Sequence, residues 1–288
     1  RVLLSFLLIL GLLAIVRLGQ QATVKVMSLL VYPFIVALAF LAVFLIPHWS
    51  GGILATASEV PPPSAFLHTL WLAIPVMVFS FNHSPIISAF AVDQKRQYGE
   101  HADERSGQIL CRAHLLMVAM VMFFVFSCVL TLTPGQLAEA KAQNLSILSY
   151  LANHFSNPTI AFAAPLIAFI AIAKSFLGHY IGASEGFKGL VVKSGKRLNA
   201  KTLDRVTAAF MLVICWAVAT LNPSILGMIE TLGGPVIAAI LFLMPMYAIR
   251  KVPAMRKYSG KMSNVFVTVI GFIAISALVY SLVLPLFD

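Results

Sequence analysis

Eight stretches of this chain are apolar on every side, and few folds accept such segments. They cover residues 2–16, 24–46, 66–92, 109–132, 158–187, 203–222, 233–249 and 264–286. A helix that crosses a bilayer needs about 20 mostly apolar residues. Leu, Ile, Val, Phe, Ala and Met surround each run, so the single apolar stripe of a surface helix does not fit. A soluble core cannot absorb them either. Of 288 residues, 60% are hydrophobic and 10% are charged, against roughly 25% charged in soluble domains, and a single core stops growing near ~250–300 residues. A soluble enzyme, a disordered chain and a secreted disulfide scaffold are excluded. The expected fold class is an all-α polytopic membrane protein with about eight transmembrane helices.

Cys111, Cys128 and Cys215 are dispersed and odd in number, which suits neither a disulfide framework nor a zinc site. The chain has no Gly-rich phosphate loop, HExxH or CxxC. No cofactor, metal or catalytic dyad is expected, so the chain does not read as an enzyme. It opens at Arg1 and enters an apolar run at once. It lacks the basic start and small-residue cleavage pattern of a signal peptide, and residues of the gene product are expected to precede it.

The formal net charge of +10 is read through topology, because Lys and Arg concentrate in cytoplasmic loops. Arg17 and Lys25 follow the first run. Lys95, Arg96, Arg105 and Arg112 follow the third, and Lys188, Lys193, Lys196, Arg197, Lys201 and Arg205 cluster after the fifth. Arg250, Lys251, Arg256, Lys257 and Lys261 follow the seventh. These are 17 of the 20 basic residues, all on alternate connections. The opposite connections hold only Lys141, with Arg1 at the end on that side. Both ends are therefore expected outside, with Trp49 and Trp71 near the outer boundary. The charge orients the protein, and no nucleic-acid partner is expected.

Function in a membrane protein gathers where an apolar helix is broken, because unpaired backbone at membrane depth must be buried in protein or line a cavity. The third run contains Ser80-Phe81-Asn82-His83-Ser84-Pro85. Pro85 cannot donate a backbone bond and disfavours helix at Ser84. Two half-helices are expected, one ending near Phe79 and one starting at Pro85 with Ser84 as N-cap. Free N–H groups and the positive dipole end there suit a carboxylate. A continuous helix kinked at proline is the alternative.

Lys174 is the one basic residue that the loops do not claim. A central lysine costs about 2.5–3.5 kcal/mol on insertion and should face protein or water. Either it carries a proton, or it snorkels to the inner surface. Gly178, Gly182 and Gly186 form a four-residue stripe in the same run that serves close helix packing, internal or between two copies. His179 and Glu185 read as interfacial residues, and Glu230 as a loop carboxylate near an entrance. Thr133-Pro134 marks a helix start through Gln143, followed by an apolar stretch at Ile147–Leu151, as an outer lid or a connector.

Four strings carry a resemblance: residues 71–88 (WLAIPVMVFSFNHSPIIS), 146–155 (SILSYLANHF), 174–180 (KSFLGHY) and 221–235 (LNPSILGMIETLGGP). The chain resembles, along essentially its whole length, the bacterial serine transporters of the hydroxy and aromatic amino acid permease family. Such proteins resemble LeuT-type transporters, with two inverted five-helix repeats and a broken first helix in each. About eleven spans are then expected. The chain supplies the last eight, and its break corresponds to the sixth helix.

The resemblance implies residues 1–46 as the end of the first repeat, 66–249 as the second repeat and 264–286 as an extra helix. It implies inward symport of a small hydroxy amino acid, most readily L-serine, in the bacterial inner membrane. Protons are the expected coupling ion, with sodium as the lesser alternative. Ser80, Phe81, Asn82, His83 and Ser84 are the substrate-binding candidates. Lys174 and Ser175 are the coupling candidates, with His83 as the rival proton carrier. The alternatives are a threonine or aromatic amino acid permease of the same family, or a non-transporting scaffold or subunit completed by another chain.

Overall fold

The computed structural model describes residues 2–51, 61–155, 157–195, 198–229 and 233–283. Glu230 lies outside them, as do Lys196 and Arg197. The described residues form helices and connections, with no strand among them. In chain order the helices are α1 (Val2–Arg17), α2 (Gln20–Leu45), α3 (Pro63–Ser80), α4 (Ser84–Tyr98), α5 (Ala102–Thr131), α6 (Pro134–Ala142) and α7 (Ile147–His154). They continue as α8 (Pro158–Lys193), α9 (Ala200–Leu221), α10 (Ile225–Met228), α11 (Gly234–Ala238), α12 (Met244–Lys251) and α13 (Met262–Val283).

The expected all-α polytopic class is the observed one. Among the described residues, six helical segments are long and apolar enough to cross a membrane: Gln20–His48, Pro63–Ser80, Ser84–Thr131, Pro158–Lys193, Ala200–Leu221 and Met262–Tyr280. The count differs from eight for two local reasons. The first run makes a helix of 16 residues, short of the ~20 a bilayer requires. The seventh run is not one regular helix: α11 passes into a π segment, Ala239–Leu243, before α12. The Met244 N–H donates to the Ala239 carbonyl, five residues back. Pro245 explains this widening, because it has no N–H and its ring crowds the carbonyl four residues earlier.

Two compact units arise. One comprises residues 1–58 and 85–221, the other 59–84 and 222–288. In the first, α2 packs on α8 and α5, α7 packs on α8, and α1 packs on α9. Gly19 turns the chain from α1 into α2 with φ +105°, a conformation that glycine adopts without a Cβ penalty. Leu41, Leu45, Leu132, Leu151, Ile160 and Ile167 are buried together, each worth about 1.5–3 kcal/mol of burial. This core gathers where α6 and α7 fold over the ends of α2, α5 and α8. The Thr133–Gln136 pair forms a complete capping box at the start of α6, and Ser146 caps α7. The connection is thus a packed pair of helices.

In the second unit, α13 packs along α3. Trp71 Nε1 donates to Ser276 Oγ at 3.1 Å, and its ring lies 5.0 Å from that of Tyr280. Large apolar side chains cover the exterior of both units. Phe162 is 74% exposed and Phe266 66%, an arrangement that suits lipid as the surrounding solvent.

Candidate functional site

The break in the third run lies a residue or two from its expected place. α3 continues through Ser80, and only Phe81, Asn82 and His83 are non-helical before α4 opens at Ser84. Ser84 is therefore the first helical residue rather than the N-cap. The Ser84 N–H donates to Asn82 Oδ1 at 2.9 Å, so the asparagine side chain supplies the acceptor assigned to serine. This shift has a local cause. Asn readily hydrogen-bonds backbone two residues on, while Phe81 still closes the last turn of α3 by donating to Met77 O at 3.2 Å.

The polar side chains of the break engage its backbone in different ways. Ser80 Oγ donates to Val76 O at 2.8 Å within α3. His83 Nδ1 lies 2.7 Å from Phe81 O, and because a carbonyl oxygen only accepts, the ring nitrogen is the donor. Phe81, Asn82, His83 and Ser84 are half-buried, and Ser80 is exposed. A Cβ on Gly233 would meet the Phe79 ring at 3.0 Å, so this glycine lets its backbone approach the end of α3.

Lys174 lies in α8, half-buried. Its ammonium sits 5.1 Å from the centroid of the Phe34 ring on α2, a cation–π contact that partly replaces water around the charge. Ser175 is exposed, and its hydroxyl turns along the helix to His179 Nδ1 at 3.3 Å. The two coupling candidates thus share a helix but not a face. The break and Lys174 belong to different units.

The glycine stripe divides by position. A Cβ on Gly178 would lie 3.1 Å from Met27 Cε. A Cβ on Gly182 would lie 2.5 Å from the Pro85 carbonyl oxygen, and Gly186 faces open space. One turn beyond Gly182, the Ser88 hydroxyl donates to the Glu185 carboxylate. The sequence reading missed this contact by treating Glu185 as solvated at the interface. The signal was present: Pro85 and Ser88 are three apart, as are Gly182 and Glu185, so each pair shares a helix face. Among the described residues, no group of three His, Cys, Asp or Glu side chains is placed to hold a metal ion.

No protein-family model and no solved structure matches the chain. Curated relatives do. The chain is 63% identical to "Serine transporter SdaC" of Escherichia coli (strain K12), over 98% of this chain and 67% of the relative. The same figures hold for the protein of that name in Escherichia coli O157:H7. The Shigella flexneri protein of that name is 62% identical over the same shares. At this identity and coverage, the chain belongs to the family of the bacterial serine transporter SdaC.

Proposed function

We propose that this chain forms part of a secondary transporter that brings L-serine into the cell together with protons. The observation that carries the site is the three-residue gap between α3 and α4. It places polar side chains and the start of a 15-residue helix inside an otherwise apolar segment. The relatives' name supports serine as the substrate. In this reading the first turn of α4 receives the serine carboxylate, by its N–H groups and dipole. Asn82, His83 or Ser84 meets the hydroxyl. Lys174 is the proton carrier, held against Phe34 rather than against a carboxylate, with Ser175 beside it. The protein sits in the inner membrane with the basic connections on the cytoplasmic side. The two inverted repeats of a LeuT-type transporter rock to open each side in turn, with residues 66–249 as the second repeat.

The test is serine uptake into vesicles by the full-length protein, with proton and sodium gradients imposed separately. Accumulation is expected to follow the inward proton gradient. Accumulation that follows sodium and ignores protons overturns the coupling, and absence of serine uptake under either gradient overturns the substrate.

A further inference from the structure

A second polar feature of the first unit is remote from the break in sequence and plays no part in serine binding as proposed. A cavity of about 510 Å³ opens between the α1–α2 turn, the last third of α8 and the first turns of α9. Four cations line it: Arg17, Lys188, Lys201 and Arg205. Two carboxylates also line it, and both are already engaged. Asp204 pairs with Lys188 at 2.5 Å, and Glu185 accepts the Ser88 hydroxyl. Among the described residues, Arg17, Lys201 and Arg205 have no carboxylate partner. Tyr180 and Ser184 add hydroxyl groups to the wall.

Depth in the membrane narrows the ligand. α8 has 36 residues, about 54 Å of helix at 1.5 Å per residue, against a hydrocarbon core of ~30 Å. Its last third therefore emerges at the head-group level. The basic connections that follow α1 and α8 lie at this end of the first unit, the cytoplasmic end in the orientation proposed above. Basic pockets between helices on that side suit anionic lipid head groups. The volume exceeds what a lone phosphate fills and lies in the range of sites that bury a larger polar molecule.

We infer that this cavity binds a phosphate-bearing anion, the head group of an anionic phospholipid of the inner leaflet, through Arg17, Lys201 and Arg205. Arg17 and Arg205 supply planar forks that match phosphate oxygens two at a time. Lys201, an exposed lining residue, adds a point charge. The inference uses the orientation proposed above but not the serine site.

The full-length protein, purified in mild detergent and offered equal amounts of phosphatidylglycerol and phosphatidylethanolamine, is read by native mass spectrometry for retained lipid. Selective retention of phosphatidylglycerol is expected. Each lost cation should weaken it about fivefold, so Arg17→Gln with Arg205→Gln cuts retention roughly 25-fold. Arg17→Lys with Arg205→Lys, which keeps the charge, retains most of it and guards against a folding defect. Arg250→Gln with Lys251→Gln, in a basic connection that does not line the cavity, leaves it unchanged. Inorganic phosphate is the second arm. A thermal shift with phosphate that Arg17→Gln with Arg205→Gln abolishes, without selective lipid retention, assigns the same chemistry to a free anion. Equal retention of both lipids with no phosphate shift overturns the pocket, as does a loss no greater than that in Arg250→Gln with Lys251→Gln. Neither readout involves serine, so failure here and failure of the transport reading are separate results.

Discussion

The carbonyl oxygen of Pro85 occupies the space where a side chain on Gly182 would begin. A Cβ there would come within 2.5 Å of that oxygen and 2.8 Å of the Pro85 Cα. Both atoms are backbone, so neither can rotate away. The first turn of α4 and α8 at the start of its last third therefore rest directly on each other, and the half-helix proposed to receive serine is seated on the helix that carries Lys174.

Gly182→Ala should push α4 and α8 apart at a cost of about 1–3 kcal/mol, the usual price of overpacking. Gly186→Ala meets nothing within 4 Å and should gain about 0.5–1 kcal/mol from helix propensity. Thermal unfolding in detergent should thus move in opposite directions for two changes that are alike in sequence. Movement in the same direction would contradict the close approach.

That contrast shows where the sequence was legible. The four-residue spacing of the glycines gave their shared face, but only tertiary packing decides which of them meets backbone. The break was visible because four polar residues and a proline stand in an apolar run. Its edge moved to Phe81–His83 because Asn82 competes for the Ser84 N–H, a side-chain choice that hydropathy does not register. The helix start at Thr133-Pro134 was readable from those two residues, and Thr133 caps α6 there. The π segment at Ala239–Leu243 was hidden, since apolar content is the same in an α and a π turn. Ser88 and Glu185 are 97 residues apart, and their matched three-residue offset from Pro85 and Gly182 gains meaning only once those two are known to touch.

The Ser88–Glu185 contact ties α4 to α8 a second time, one turn beyond Gly182. Because one partner is a carboxylate, this is a charge-assisted bond, though both side chains are exposed. A double-mutant cycle with Ser88→Ala and Glu185→Ala should give a coupling at the lower end of the 0.5–3 kcal/mol range, about 0.5–1 kcal/mol. Additive losses would show that the two groups do not interact.

Outside the spans, Tyr150 donates its hydroxyl to the Glu139 carboxylate at 2.7 Å, joining α7 to α6. That bond, then burial, then the negative charge of Glu139 raise the phenol pKa above its ordinary value. A raised pKa means that the folded state holds this proton more tightly than the unfolded state. The stabilisation is complete below the unfolded phenol value near ~10. It is lost as pH climbs through the higher folded value. Tyr150→Phe should therefore lower the melting temperature at pH 8 and flatten the decline above pH ~10. An unchanged alkaline decline would exclude Tyr150 as its source.

Asn82 separates architecture from substrate binding. Asn82→Ala removes the acceptor for the Ser84 N–H and should cost about 0.5–2 kcal/mol, as for a lost helix cap. Asn82→Asp keeps the acceptor and places a negative charge at the start of α4, where the helix dipole favours it. Stability should be retained, but that charge would repel a carboxylate held at the same turn. Serine affinity should fall at least about tenfold, since a like charge costs more than 1.4 kcal/mol at this range. Undiminished affinity in a stable Asn82→Asp variant would move the carboxylate site away from the break.

Lys174 and His83 make different demands on a proton-coupled cycle. Lys174 rests on the Phe34 ring, and losing a proton there exchanges a cation–π contact for apolar packing, at a cost of about 0.5–2 kcal/mol. Lys174→Ala should leave serine binding within a few-fold and abolish accumulation driven by the proton gradient, while exchange of serine across the membrane continues. Phe34→Leu should keep coupling and shift its pH profile. His83 is tied by Nδ1 to Phe81 O inside the break, so His83→Ala should weaken binding first and coupling only through it. Binding and accumulation measured on the same vesicles decide between them. If Lys174→Ala still accumulates serine fully against its gradient, the lysine leaves the mechanism and the proton passes through His83.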